Sequence, residues 1–205
     1  MESPSLQNRV VKIIDARTEI RCVVDAILIS DYPIDRIPGV EDRWGPVRQQ
    51  LGDLAEAELE HAHWDWRRKT EVGYASRHRI IAIEYEDDIQ GLMSIENTGR
   101  SSRISPSEEV LYVDYIESAP WNLRELCSQP CFLAIGTSLM MVAILISKEM
   151  GFNGRVGLHS LSQSLGFYQQ RCGMTSLGQD RLYHSLEYFE YNLEQAQTWL
   201  EAMGA

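Results

Sequence analysis

Cys131-Phe-Leu-Ala-Ile-Gly-Thr-Ser-Leu-Met140 follows a strand-like run and opens a long apolar helix. A helix that begins in a small-residue turn aims backbone N–H groups without intrahelical partners, and the positive end of its dipole, at whatever lies in front of it. Such a terminus is an anion site. Ahead of it stands Glu109-Val-Leu-Tyr-Val-Asp-Tyr-Ile-Glu-Ser-Ala-Pro120, a strand closed by proline. Behind it come Gly154-Arg-Val-Gly-Leu-His-Ser-Leu161 and Gly166-Phe-Tyr-Gln-Gln-Arg-Cys-Gly-Met174. The order is strand, small-residue turn, helix, strand, then a helix that carries Phe167-Tyr168 and ends near Gly173.

This order resembles the GCN5-related N-acetyltransferase (GNAT) family over roughly residues 80 to 190. The resemblance implies an α/β (α+β) fold with a central mixed, mostly antiparallel sheet, a splayed parallel strand pair and flanking helices. It also implies acetyl-CoA as cosubstrate, with the pyrophosphate on the turn formed by Phe132, Leu133, Ala134, Ile135, Gly136, Thr137 and Ser138. The backbone of Ile116 and Ser118, just ahead of Pro120, would pair with the pantetheine amides. The family's turn reads Gln/Arg-x-x-Gly-x-Gly/Ala, to which Cys131, Ala134 and Gly136 correspond. Cys131 replaces a side chain able to reach phosphate, and Ala134 replaces a glycine while keeping its N–H. Alanine fits there only at negative φ, because a Cβ disfavours the left-handed region. Leu161 stands where the family often has asparagine, flanked by Ser160 and Ser162, which read as helix caps. Trp121 to Pro130 is an insertion between proline and turn, either a flap beside the thioester, with Trp121 and Asn122 its leading residues, or a surface loop.

The resemblance assigns the roles that acetyl transfer to an amine requires: a deprotonated amine, a polarised carbonyl and a proton for the departing thiolate. Tyr168 matches the family's thiolate-protonating tyrosine, and a phenol near neutral pH is a proton donor. The alternative is an aromatic pair packed in the core. For the general base, Glu117 and Asp114 lie on the strand at 109–118, where alternation puts them on opposite faces. Glu117 is nearer the strand's carboxyl end and ranks first, His159 on the following strand second and Asp114 third.

The chain has 205 residues and reads as one domain over 1–205, with an N-terminal helical part at about 16–70. Hydrophobic content of 44% and charged content of 24% suit a soluble globular protein whose core needs no staple. The net charge of −11 repels nucleic acid and anionic membrane and attracts cations. An amine acceptor, small molecule or protein, fits that field. A homodimer is left open. Cys22, Cys127, Cys131 and Cys172 show no paired framework, and the opening Met-Glu-Ser-Pro is no secretory signal, so a reducing cytoplasm is expected. Phe132 to Ser147 is shorter than the ~20 residues a membrane span requires and reads as a core helix.

Elsewhere, Val10 to Asp15 reads as a strand and Thr18 to Ser30 as an amphipathic helix. Pro33, Pro38 and Gly39 mark a loop. Val40 to His63 reads as a second helix with a break at Gly45-Pro46. Alternation from Arg79, the turn at Glu86-Asp-Asp and the run Gly91 to Ile95 predict an antiparallel hairpin. Asn97 to Ser107 reads as a loop, Leu182 to Asn192 as a strand, and Glu194 to Met203 as a terminal helix. His61, His63 and Asp65, or Cys127 with Cys131, lack the ligand set of a metal site, and no metal is expected. Trp64 and Trp66 beside Arg67-Arg68-Lys69 either stack on a nucleotide or anchor a helix end with the basic residues solvated. The acidic balance of 19 basic against 30 acidic residues favours the anchor. The same balance argues against a toxin-like acetyltransferase acting on aminoacyl-tRNA. A catalytically inactive acyl-CoA-binding or scaffold protein is the alternative outside enzymes.

Overall fold

The chain opens with two strands, β1 (Arg9–Asp15) and β2 (Cys22–Ile29), paired antiparallel from Arg9 opposite Leu28 to Asp15 opposite Cys22. They are seen in a computed structural model that describes residues 9–50, 60–61, 63–71, 76–124 and 126–204. The helix expected over Thr18 to Ser30 is therefore a correction. Ala26, Leu28 and Ser30 are buried while Val23, Asp25 and Ile27 are exposed, a period of two. A nearly continuous apolar run satisfies helical spacing and strand alternation alike, and the β-branched residues pack on the pleated surface.

The described residues form two compact units, one drawn from 9–94 and 115–139, the other from 95–114 and 140–204. In the first, α1 (Ile37–Gln50) follows a short 3₁₀ turn at Ile34–Arg36. The helix thus begins inside the expected loop. Pro38 falls in its first turn, where a missing N–H costs nothing, and the helix runs through Pro46 without the expected break. Residues 51–59 of the longer expected helix lie outside the described residues. α1 buries Ile37, Val40 and Trp44 against Trp66, Ile80, Ala82, Ile89 and Leu92. Trp66 opens the one-turn helix α2 (Trp66–Lys69), capped by the Asp65 carboxylate, which accepts from the Arg67 N–H at 2.8 Å.

β3 (His78–Tyr85) and β4 (Asp88–Glu96) are the expected hairpin strands. Glu86 and Asp87 between them have φ of 53° and 62°, the positive pair that a two-residue hairpin turn requires. Two-residue β5 (Arg100–Ser101) pairs with β6 (Glu109–Ser118) from within the predicted loop. β7 (Phe132–Leu133) pairs antiparallel with β1, and α3 (Ile135–Glu149) follows directly.

In the second unit β8 (Val156–Ser160) runs parallel to β6, with Leu111 opposite Val156 and Val113 opposite Leu158. α3 is the helical crossover that parallel pairing demands. β10 (Leu186–Tyr191) pairs antiparallel with β8 and with β9 (Thr175–Asp180). β9 was not expected. Thr175-Ser-Leu-Gly-Gln-Asp is polar and half-exposed, as suits an edge strand, and carries no apolar alternation. The late strand is shorter than the reading from Leu182, because a 3₁₀ turn at Arg181–Tyr183 and left-handed His184 and Ser185 precede it. α4 (Leu193–Met203) is closed at its start by a reciprocal box between Asn192 and Gln195. The sheet order is β7-β1-β2-β3-β4-β6-β8-β10-β9, mostly antiparallel with the one parallel pair. No helix among the described residues is long and apolar enough to cross a membrane.

Candidate active site

In the first unit, the start of α3 is held from both sides. Before it, the Cys131 N–H donates to the Trp121 carbonyl at 3.1 Å, the Cys131 carbonyl accepts from Ala16 at 2.9 Å, and the Phe132 N–H donates to Asn122 Oδ1 at 2.9 Å. After it, the Ser138 N–H donates to the Ala134 carbonyl at 2.9 Å, and the Ser138 hydroxyl donates to the Lys12 carbonyl at 2.7 Å. The N–H groups of Phe132 and Ser138 are thus spent inside the protein. This narrows the expected anion contacts to the residues between them.

Ala134 has φ of 68°, so its expected negative φ is wrong. The left-handed conformation costs an alanine about 1–2 kcal/mol and persists only where the surroundings enforce it. The anchored β7 and the pinned first turn of α3 supply that enforcement. A left-handed residue followed by helical ones turns successive N–H groups into one concavity, a nest for an anion. Replacing Ala134 with glycine should therefore raise stability by about 1 kcal/mol without loss of anion binding, read as a higher melting temperature. Gly91 of β4 lets the helix sit this close, since a Cβ there would collide with the Ile135 side chain and lie 3.2 Å from Leu139.

The Trp121–Pro130 insertion is tied to β4 at its start. Trp121 Nε1 donates to Gln90 Oε1 at 2.9 Å, and Asn122 Nδ2 to the same oxygen at 3.1 Å. Asn122 thereby ties β4 to β7. Beside it a cavity of about 280 Å³ is lined by Glu19, Arg21, Arg124, Ser128 and Leu133 among others.

Near the end of β6 Glu117 is buried, while Ile116 and Ser118 on the other face are half-buried. Glu117 Oε1 accepts from Arg48 Nη1 at 3.0 Å, and Oε2 from the Trp66 indole N–H at 2.6 Å. Arg48 also pairs with Glu41, whose Oε1 accepts from the Trp66 backbone N–H at 2.9 Å. His61 Nε2 lies 4.0 Å from Glu117 Oε1. Two buried carboxyl groups share one guanidinium. Burial, with the charge of Glu41, pushes the Glu117 carboxyl up to about 7 against the opposing pull of Arg48 and Trp66. Apolar spacing alone points to neither Glu41 nor Arg48, while Trp66, expected as an anchor of a helix end, also donates to Glu117. The available signal was a Glu and an Arg seven residues apart on the apolar face of α1, two turns along one side.

In the second unit the helix expected to carry Phe167-Tyr168 is a 3₁₀ turn at Ser162–Ser164 followed by a π-helical turn at Phe167–Arg171. Such turns are frequent at functional sites. Tyr168 is buried, its ring 5.1 Å from that of Phe167 and 5.8 Å from that of Phe189. No group among the described residues hydrogen-bonds its hydroxyl. Burial raises the phenol well above its ordinary range, so it stays protonated and can only give a proton at neutral pH. Neither serine caps the 3₁₀ turn, a second correction: Leu161 is the capping residue without a side-chain bond, and the Ser160 hydroxyl donates to the Leu161 carbonyl at 2.8 Å.

His159 Nδ1 is 2.7 Å from the Tyr112 hydroxyl, its Nε2 is 3.2 Å from Asp180, and its ring stacks on Tyr183 at 3.9 Å. Both nitrogens are engaged, and burial holds the imidazole below its ordinary pKa.

No family model and no curated protein matches the chain. Solved structures do match. The PaiA N-acetyltransferase of Thermoplasma acidophilum, in complex with coenzyme A, superposes with a TM-score of 0.53 at 11% identity, over 82% of this chain and 99% of that one. A protein of Desulfovibrio desulfuricans ascribed to the GNAT acetyltransferases gives the same TM-score of 0.53, 11% identity and coverage of 82% and 99%. At that identity the likeness is one of fold. The chain has the GNAT fold, with the strand, turn, helix and strand order that its sequence resembles.

Proposed function

We propose that this chain is an acetyl-CoA-dependent N-acetyltransferase. The observation that carries the reading is the left-handed Ala134 at the mouth of α3, a strained alanine held so that the next N–H groups converge. The coenzyme A bound to the T. acidophilum neighbour supports the same ligand here. In this reading the N–H groups of Ala134, Ile135, Gly136 and Thr137 hold the pyrophosphate, and the backbone of Ile116 and Ser118 pairs with the pantetheine amides. Arg21 and Arg124 give the neighbouring cavity the positive charge that an overall acidic chain needs to hold a nucleotide phosphate.

The acceptor amine forms a C–N bond with the thioester carbonyl carbon as the C–S bond breaks. Tyr168 gives its proton to the departing sulfur. Glu117 takes up the proton lost by the amine through the polar groups around it, and His159, with both nitrogens occupied, orients the aromatic cluster of its own unit. A carboxyl at about 7 holds its proton below that pH and accepts one above it. kcat/KM should therefore rise as pH increases through about 7 and then level, and Glu117→Gln should lose that limb. An unchanged profile in Glu117→Gln would remove Glu117 from the proton path.

The reading is tested by calorimetry with acetyl-CoA, followed by mass-shift screening of an amine panel with measured release of free CoA. Binding with an acetylated amine supports it. Binding without turnover across the panel replaces it with an acyl-CoA-binding protein, and absence of binding overturns both.

A further inference from the structure

Lys69 is not the solvated residue that its basic neighbourhood suggests. Its ammonium stands 3.2 Å from the ring centroid of Tyr115 and 3.8 Å from that of Trp64. The two rings lie 5.3 Å apart at 81° to each other, so they form two walls of a corner around one cation. His61 backs Trp64 at 5.4 Å, and Trp66 backs Tyr115 at 6.3 Å. Faces of aromatic rings attract ammonium through their quadrupoles, and cages of this kind recognise ammonium ligands.

The corner is prebuilt. Asp65 caps α2, the Trp64 N–H donates to the His61 carbonyl at 2.9 Å, and Trp66 is fixed to Glu41 and Glu117. Tyr115 belongs to β6, two residues before Glu117. Trp64, Lys69 and Tyr115 are each half-buried rather than sealed in the core. The Lys69 charge also acts on the Glu117 carboxyl, which places the caged cation within electrostatic reach of the group assigned to take the acceptor's proton.

We infer that the Trp64–Tyr115 corner is the binding site for the ammonium group of the acceptor, and that Lys69 is a tethered stand-in displaced when the acceptor enters. The assignment of the cation to an acceptor rests on the acetyltransferase reading; the cation site itself does not. Lys69 competes at the millimolar effective concentration of a short tether, so a bare ammonium displaces it only at a raised concentration and ligands that add contacts beyond the ammonium displace it more readily. The device selects cationic acceptors and rejects neutral ones.

The test uses the full chain with ¹⁵N-labelled tryptophan indoles, titrated with n-butylammonium and, as a neutral control, n-butanol. The Trp64 signal is assigned by its loss in Trp64→Phe. In Lys69→Met, which keeps the stem and removes the charge, butylammonium should shift the Trp64 indole signal with an apparent affinity about tenfold tighter than in the wild type, the competition from the resident cation being gone. Lys69→Arg should behave as the wild type and Tyr115→Phe should retain binding. Tyr115→Leu should lose the response while near-ultraviolet circular dichroism shows the fold intact. Equal affinity in wild type and Lys69→Met, an equal response to butanol, or unchanged binding in Tyr115→Leu would overturn the inference. If Tyr115→Leu unfolds, the Lys69→Met comparison decides alone. Butylammonium in the corner of a chain that does not bind acetyl-CoA would defeat the functional reading and leave the cation site standing. Acetyl-CoA turnover without butylammonium in the corner would do the reverse.

Discussion

Tyr168→Phe should lower turnover about 10²–10⁴-fold, the range over which a positioned general acid acts, while acetyl-CoA affinity stays near that of the wild type. The substitution deletes one oxygen. It leaves the ring contacts with Phe167 and Phe189 in place, and breaks no hydrogen bond to the described residues. Stability should therefore be preserved, since the ring packing is kept and no hydrogen bond is lost. The combination separates the two readings of this aromatic pair. Loss of rate with an unchanged melting temperature assigns Tyr168 to the reaction; wild-type turnover, with chemistry shown to be rate-limiting, returns it to the core.

Gly136→Trp should abolish acetyl-CoA binding, weakening it by about 100-fold or more, equivalent to about 2.7 kcal/mol or more. Gly136 is half-buried in the first turn of α3, directly after the left-handed Ala134 and Ile135. On the proposed function, a large side chain there intrudes on the space assigned to the pyrophosphate. Calorimetry on a variant with wild-type circular dichroism gives the answer, and Ala134→Gly is its counterpart, a change in the same turn that retains affinity. Unaltered binding by folded Gly136→Trp would place the cosubstrate elsewhere.

The parts of the fold legible in the sequence are those whose information is local. α3 was readable because an apolar helix announces itself over several turns. β6 matched the residues 109–118 expected for it, and the β3–β4 hairpin followed from alternation interrupted by Glu86-Asp87. β2 was misread because an apolar run satisfies both periods, and its partner decides between them: β1 supplies an antiparallel ladder along the full strand. The turn ahead of α3 was legible as a place. Its conformation was not, because φ at Ala134 is set by β7 docking on β1 and by Ser138 reaching Lys12, contacts that span the chain.

What the sequence by itself determined is the order of strand, turn, helix and strand, the terminal helix and the placing of Glu117 and Asp114 on opposite faces of one strand. Spacing along a single strand or helix carries these, and the hydrophobic effect acts on that spacing whatever the partners are. Tertiary structure alone decided which polar groups meet. Glu41, Arg48, Trp66 and Glu117 come from three separate elements, and the chemistry of Glu117 depends on two carboxyls being buried around one guanidinium. The cage of Trp64 and Tyr115 around Lys69 has the same origin. Burial of charge and capture of a cation are energies of neighbours, and neighbours distant in sequence exist only once the chain has folded.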